Sequence, residues 1–491
     1  CKFKLSECKF KLNEVKKDYV LQQLQNIDCK KAVGVDGIHP RFLKLAAVHI
    51  VDPITYLFNM SIKTCIIPKD FKTARISPIH KGGSHDIDNF RPISILPSLS
   101  KILERAIHNQ LYMYLNENRL LANCQSGFRP LYSTATCLTE ITDYLLDKMD
   151  QGNVIGGIFL DLRKAFDVIP HNFILKKLAY FGIKGNEYNW IKSYLTERRQ
   201  FVTVNNCISD CVNTRSGVPQ GSILGPLIFC MFMNDICYLK LHAHSKMSLY
   251  ADDTAMFNYG KTMNDVHMVL QEDFDLICKW LDLNNTHLHP QKTKVMAFGH
   301  RKKLVNNILV LKFKGQPIEN VHKIKYLGVI FYSGMTWKEH ICYIVGKISR
   351  AIGCIRRIKQ FLSLKLLINL YFALILPHVD YCCTSWGSSA KIYKDKITKL
   401  QNKYARVVLN ADYCTPQRSM LLTLGWQSVE ERLKYQYCVL VYKIQQNLVP
   451  TYLEPLICKR NVNYETRYSV KCPLYLPRPK TEYKRNYFTY I

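Results

Sequence analysis

The chain has 491 residues, 48% of them hydrophobic, which is enough for two to four packed subdomains and excludes a disordered tail. Its 68 Lys and Arg against 38 Asp and Glu leave a net charge of +30, and 30 Tyr and 22 Phe are interleaved with them. A phosphate backbone with bases to stack is the partner this favours over an anionic membrane surface or generic basicity, and an odd count of 19 Cys without a C-x-x-C pair excludes a zinc finger and a secreted disulfide framework, in favour of reduced intracellular thiols.

The chain opens at Cys1, with no initiator Met and no signal peptide, and reads as a fragment of a longer frame. Residues 1–65 have helical spacing, with Val15, Val20 and Leu24 on one face and a second helix predicted from about Pro40 to Lys63. Between them lies the glycine-punctuated basic loop Lys30–Ile38. A strand is predicted over Thr73–His80, followed by the Lys81-Gly82-Gly83 turn. Arg75 and Lys81, six apart on an extended run, share one face. They are read either as charges guarding a solvated edge strand or as a cationic clamp for a triphosphate.

Helices are predicted on either side of Gln125–Arg129. The run Gly157–Asp167 then reads as a buried strand ending in Asp161, followed by a helix. A carboxylate at that place is either a helix cap or a site residue at the C-terminal end of a strand. Residues 215–227 form a Gly/Pro-dense loop around Gln220 and Gly221 that opens an apolar helix, a plain tight turn or a close approach of backbone to ligand.

Ser248–Phe257 is predicted to be a β-hairpin whose turn carries Asp252 and Asp253. Adjacent carboxylates in an apolar segment are costly to desolvate unless a cation meets them, and Mg²⁺ takes hard oxygen ligands; the alternative is an ordinary surface turn. A helix over about 263–283 leads to Lys292-Thr293, and a short hairpin carries Tyr326, Leu327 and Gly328. From Ile341 the chain is helical, with Ile341, Ile344, Val345, Ile348, Ile352 and Ile355 on an apolar face and Lys347, Arg350 and Arg357 on a basic one. The apolar run Leu364–Val379 includes Lys365, Asn369 and Pro377 and falls short of the ~20 residues of a membrane span; a buried helix is expected there. Residues 459–491, with Pro473, Pro477 and Pro479, are expected to be extended and partly disordered.

Three Asp on two elements, with cationic residues upstream and a Lys downstream, are the parts of metal-assisted nucleotidyl transfer. Asp161 and Asp252 would hold two Mg²⁺ about 4 Å apart, with Asp253 beside them.

The motifs KAVGVDGI (31–38), ISPIHKGG and NFRPISIL (76–96), QSGFRPLYST (125–134), FLDLRKAFDVIPH (159–171), SGVPQGSILGPLIF (216–229), YADDT (250–254), KT (292–293) and YLGV (326–329) follow one another across almost the whole chain. In this order they resemble the reverse transcriptase of non-LTR (LINE-type, jockey-like) retrotransposons. The resemblance implies an α+β right-hand polymerase with fingers, an antiparallel-sheet palm and a helical thumb. Its expected divisions are an N-terminal helical lead-in at 1–65, fingers and palm at 66–333, the thumb at 334–410 and a basic, partly extended region at 411–491.

By the same resemblance, Asp161, Asp252 and Asp253 are the catalytic, metal-binding carboxylates, and Mn²⁺ can replace Mg²⁺. Arg75 and Lys81 contact the triphosphate, and Phe166 is the sugar-gate aromatic. Gln220 and Gly221 lie beside the incoming nucleotide and template, Lys292 assists pyrophosphate departure, and Tyr326, Leu327 and Gly328 form the primer grip. A departure from the family is Leu288-His289, where members often have Leu-Asn. The implied partners are an RNA template, a DNA primer or target, and dNTPs, with no membrane. The implied reaction is target-primed synthesis in the nucleus after a cytoplasmic RNA-bound stage, by a fragment lacking the endonuclease. The alternatives are a decayed copy that binds RNA without polymerising, and an RNA-templated RNA polymerase.

Overall fold

The computed structural model describes residues 8–205, 207–304, 308–457, 474, 480 and 481. The chain divides into two compact units, each assembled from separated segments: 1–128, 162–241 and 276–289 in the first, and 129–161, 242–275 and 290–491 in the second. Each unit draws on separated segments because its sheet pairs strands distant in sequence.

In the first unit, helices Lys17–Gln25, Pro40–Leu45 and Ala47–Thr64 precede a sheet. The helix expected over 40–63 is thus interrupted at Ala46. Strand Thr73–His80 lies at the centre of this sheet, antiparallel to Phe90–Ile95 and parallel to Arg198–Val204. Helix Ser98–Glu117 follows the sheet's hairpin and buries Ile102, Leu103, Ala106, Ile107 and Leu111 at its i, i+3, i+4 spacing. The apolar run after the 215–224 loop becomes helix Gly225–Met233, buried almost all round, with Pro226 in its first turn, where its missing N–H costs nothing.

The second unit is organised on a four-stranded antiparallel sheet, in the order Lys246–Tyr250, Asp253–Gly260, Val154–Leu160, Lys294–Phe298. The inner strand Val154–Leu160 is buried at every position, so its sequence shows no alternation. One face meets helix Thr134–Asp150 through Cys137, Leu138, Ile141 and Leu145. The other meets Val266 and Leu270, which approach Gly156 so closely that a side chain there would collide with them.

Beyond the sheet, helix Lys338–Ile358 buries Ile341, Ile344, Ile348, Ile352 and Ile355, while Arg350 and Arg357 are exposed. It packs against helix Lys391–Leu409. The stack of Tyr371 on Trp426, with ring centroids 3.8 Å apart, and the two-pronged Arg432–Asp380 pair at 2.7 and 2.8 Å fasten the surrounding helices.

The buried helix expected over 364–379 is corrected. Leu364–Leu370 is α-helical, Tyr371–Ile375 is a π turn, and Leu376–Asp380 restarts the helix with Pro377 in its first turn. Proline has no N–H to give to a residue four back, so the ladder regroups ahead of it. The segment is one-sided: Leu367, Tyr371 and Ile375 are buried, and Leu364 and Phe372 are exposed. No helix among the described residues is long and apolar enough to cross a membrane. Residues 417–445 form the helices Gln417–Leu424 and Val429–Gln445. The extended tail expected over 459–491 lies outside the described residues apart from 474, 480 and 481.

Candidate active site

The hairpin predicted around the paired aspartates forms as Lys246–Tyr250 and Asp253–Gly260, with Tyr250 opposite Asp253 and only Ala251 and Asp252 in the turn. Ala251 sits at φ +60° and Asp252 does not, which is the signature of a type II′ turn, one of the two whose twist suits a tight hairpin. Glycine is the usual residue there, so alanine holds the turn under strain, as is common where a loop must present a functional group. Ala251 is buried, Asp252 half-buried and Asp253 exposed.

The sheet register brings the third carboxylate to the same end. Leu160 pairs with Thr254, so the next residues along, Asp161 and Asp253, face each other just beyond the paired ladder. Cross-strand neighbours have Cβ atoms roughly 4.5–5.5 Å apart. The helix-cap alternative for Asp161 does not hold, since the N-cap position of the next helix, Ala165–Val168, is Lys164, and no side chain caps that helix. The Asp161 N–H instead donates to the Thr293 hydroxyl oxygen at 3.3 Å, and Thr293 is fully buried. That contact ties the Lys292-Thr293 pair to the carboxylate end of the strand, with Lys292 exposed.

The Tyr326-Leu327-Gly328 hairpin reaches the same place from behind. The Tyr326 hydroxyl donates to the Asp253 carbonyl at 3.4 Å, and burial pushes its ionisation well above the ordinary tyrosine value. Leu327 and Gly328 both have positive φ, +43° and +81°, the type I′ arrangement. The Tyr381 hydroxyl donates to the Leu327 carbonyl at 2.8 Å and holds the turn.

The other candidate residues belong to the first unit. Arg75 is half-buried in the central strand and donates to the Val33 carbonyl at 3.1 Å. Lys81 follows the strand and is exposed, its backbone N–H continuing the ladder to the Asn89 carbonyl at 2.7 Å. Phe166 stacks on Phe229 with ring centroids 4.0 Å apart and meets Phe128 edge-on at 6.0 Å.

Gln220 is held at both ends. Its carbonyl accepts from the Ser94 N–H at 2.6 Å, and its side-chain amide donates to both Asp167 oxygens, at 2.8 and 3.0 Å. Gly221 runs at φ +116°, and a Cβ there would lie 2.7 Å from the Ser94 carbonyl oxygen, so only glycine fits. Gln220 and Asp167 border a cleft of about 430 Å³ also lined by Lys164, Arg199 and Arg215.

Three residues absent from the sequence-based set support these positions. Asp167 is one; burial pushes its carboxyl up from the ordinary value, while the Gln220 hydrogen bond and the charges of Lys164 and Lys81 draw it back down. Glu104 is the second, buried on helix Ser98–Glu117. One of its oxygens accepts from the Ile223 and Leu224 N–H groups, at 2.8 and 3.1 Å, and from the Tyr194 hydroxyl at 3.3 Å. Thr293 is the third. The sequence offered a signal for Asp167, a second acid shortly after Asp161, and for Thr293, which follows Lys292 in the KT motif, but none for Glu104.

The oxygen-only donors Asp161, Asp252 and Asp253 suit a hard divalent cation. Among the described residues no group of three or more His, Cys, Asp or Glu side chains is placed to hold a metal ion.

Residues 79–331 match the family model described as "Reverse transcriptase (RNA-dependent DNA polymerase)". The chain is 28% identical over 86% of its length to the "Probable RNA-directed DNA polymerase from transposon BS" of Drosophila melanogaster. It is 28% identical over 91% of its length to the "RNA-directed DNA polymerase from mobile element jockey" of the same species. It spans about half the length of these curated relatives, 48% of each. Among solved structures it is similar to an apo telomerase from Candida tropicalis, at 14% identity and a TM-score of 0.37 over 55% of each chain. With the family model matching more than half of its residues, the chain belongs to the reverse transcriptase (RNA-dependent DNA polymerase) family.

Proposed function

We propose that the chain is the polymerase portion of a non-LTR retrotransposon protein and extends a primer 3′-hydroxyl with dNTPs on an RNA template. The observation that carries this is the meeting of Asp161 with Asp253 at the end of the sheet, next to the strained turn that presents Asp252. A divalent pair held by Asp161 and Asp252, with Asp253 adjoining, would neutralise the triphosphate and activate the attacking hydroxyl.

The protein's own part is positioning. Thr293 fixes the backbone of Asp161, Tyr326 fixes that of Asp253, and Arg75 and Lys81 supply positive charge for the triphosphate. Lys292 is proposed to donate a proton to the departing pyrophosphate, and the Tyr326–Gly328 hairpin to grip the primer. The exposed Arg350 and Arg357 would follow a phosphate backbone. Target-primed synthesis and a nuclear site of action are part of the same proposal.

The test is chelation. Extension of a DNA primer on an RNA template should stop with EDTA and return with Mg²⁺, and with Mn²⁺ in its place. Extension that survives complete chelation would contradict the metal assignment.

Phe166 carries the proposed choice of sugar. A rigid ring edge rejects a 2′-hydroxyl by overlap, where a loose pocket would reject it only weakly. Phe166→Val should raise rNTP incorporation relative to dNTP. It should also lower stability by about 1 kcal/mol, the worth of a lost aromatic pair with Phe229. Single-turnover rates with dGTP and GTP, beside a melting curve, measure both. A variant that slows the two nucleotides equally would make Phe166 a packing residue only.

A further inference from the structure

Gln220 is a neutral side chain whose amide can present either a donor or an acceptor. Its surroundings remove that choice. An ionised carboxylate only accepts hydrogen bonds. With both Asp167 oxygens within 2.8 and 3.0 Å of the amide nitrogen, the nitrogen must face Asp167 and the carbonyl oxygen Oε1 must turn the other way. The backbone is fixed as firmly. The Val218 N–H donates to the Phe166 carbonyl at 2.8 Å, the Gly217 N–H to the Ile169 carbonyl at 2.7 Å, and the Ser216 hydroxyl to the Asp167 carbonyl at 2.9 Å. The loop thus lies directly on the segment that carries Asp167. Lys164 and Lys81 are near enough to act on the Asp167 charge, yet the carboxylate's hydrogen bonds run to the amide.

We propose that Asp167 is a positioning residue that locks the Gln220 amide, so that the loop offers the incoming nucleotide a hydrogen-bond acceptor and recognises a hydroxyl or amino donor on it. This rests on the polymerase reading and on the place that reading gives to Gln220. Asp167 touches no substrate itself; its effect passes through the glutamine. An Asn at 167 keeps the shape but can donate as well as accept, which frees the amide to flip.

The test is a double-mutant cycle in single-turnover dNTP addition on an RNA template, using Asp167→Asn, Gln220→Met and the double variant. Asp167→Asn should raise the half-saturating dNTP concentration by roughly tenfold, the size of one hydrogen bond, and leave the rate at saturation little changed. Gln220→Met should do the same, and adding Asp167→Asn to it should have no further effect. Melting curves of all four proteins should coincide closely. Equal effects of Asp167→Asn with and without Gln220 would overturn the proposal. So would a lowered melting temperature with unchanged half-saturation, since either outcome makes Asp167 merely structural. A wild-type protein that adds no dNTP would instead remove the polymerase reading, and this role with it, whereas active wild type with an additive cycle removes this role alone.

Discussion

Asp252→Asn should abolish primer extension while leaving RNA binding and the melting curve close to wild type. The change keeps the size of the side chain but takes one charged oxygen from the pair of carboxylates at the end of the sheet. A metal that stabilises a phosphoryl transition state contributes several kcal/mol, so losing a ligand should slow the chemical step by roughly 10²–10³-fold or more. Asn retains the turn, because the strained position is Ala251 and not residue 252. Single-turnover extension beside a binding titration measures the two effects separately. Near wild-type turnover in a folded variant would remove Asp252 from the proposed metal site.

The second large effect is structural and lies in the first unit. Glu104→Ala withdraws one buried acceptor from two backbone N–H groups and from the Tyr194 hydroxyl at once. Each buried group left unsatisfied costs about 1–3 kcal/mol. The two amides stand at the start of helix Gly225–Met233, where a negative charge is also favourable to the helix dipole. A total on the order of 3 kcal/mol corresponds to a fall of roughly 6–12 °C in the melting temperature. Glu104→Gln keeps an acceptor and should recover part of it. Because the loop carrying Gln220 leads directly into that helix, dNTP affinity should fall together with stability. A melting temperature within 2 °C of wild type, on the order of experimental scatter, would show that water or a rearranged loop replaces the carboxylate.

The paired-aspartate hairpin was legible in the sequence because its signals are local: apolar flanks around a very short polar break made of two adjacent acids, of which the turn itself holds Asp252 and the next strand begins at Asp253. The strand over 73–80, the helix over 263–283 and the isoleucine face from Ile341 were legible for the same reason, each repeating at the period of its own element. Asp161 as the end of a strand was also legible, but its meeting with Asp253 was not. That depends on the register of strands nearly a hundred residues apart, and no local pattern encodes it.

The supporting residues were hidden for a related reason. Thr293, Glu104 and Asp167 act through partners 132, 119 and 53 positions away. In the sequence Glu104 looks like an ordinary polar residue on a helix, and nothing local names the partners of Thr293 or Asp167. The 364–379 segment was misread because an apolar run gives no periodicity by which to separate a buried helix from a one-sided one, and because the π turn ahead of Pro377 depends on backbone regrouping.

The central claim, DNA synthesis directed by RNA, is tested most directly by one pair of reactions. A DNA primer annealed to an RNA template is offered either the four dNTPs or the four rNTPs, with Mg²⁺ and the purified chain. The account predicts extension to the end of the template with dNTPs, in a sequence complementary to the RNA, and little product with rNTPs. Equal or better extension with rNTPs would contradict it, as would no extension with either by a protein that folds and binds the primer–template.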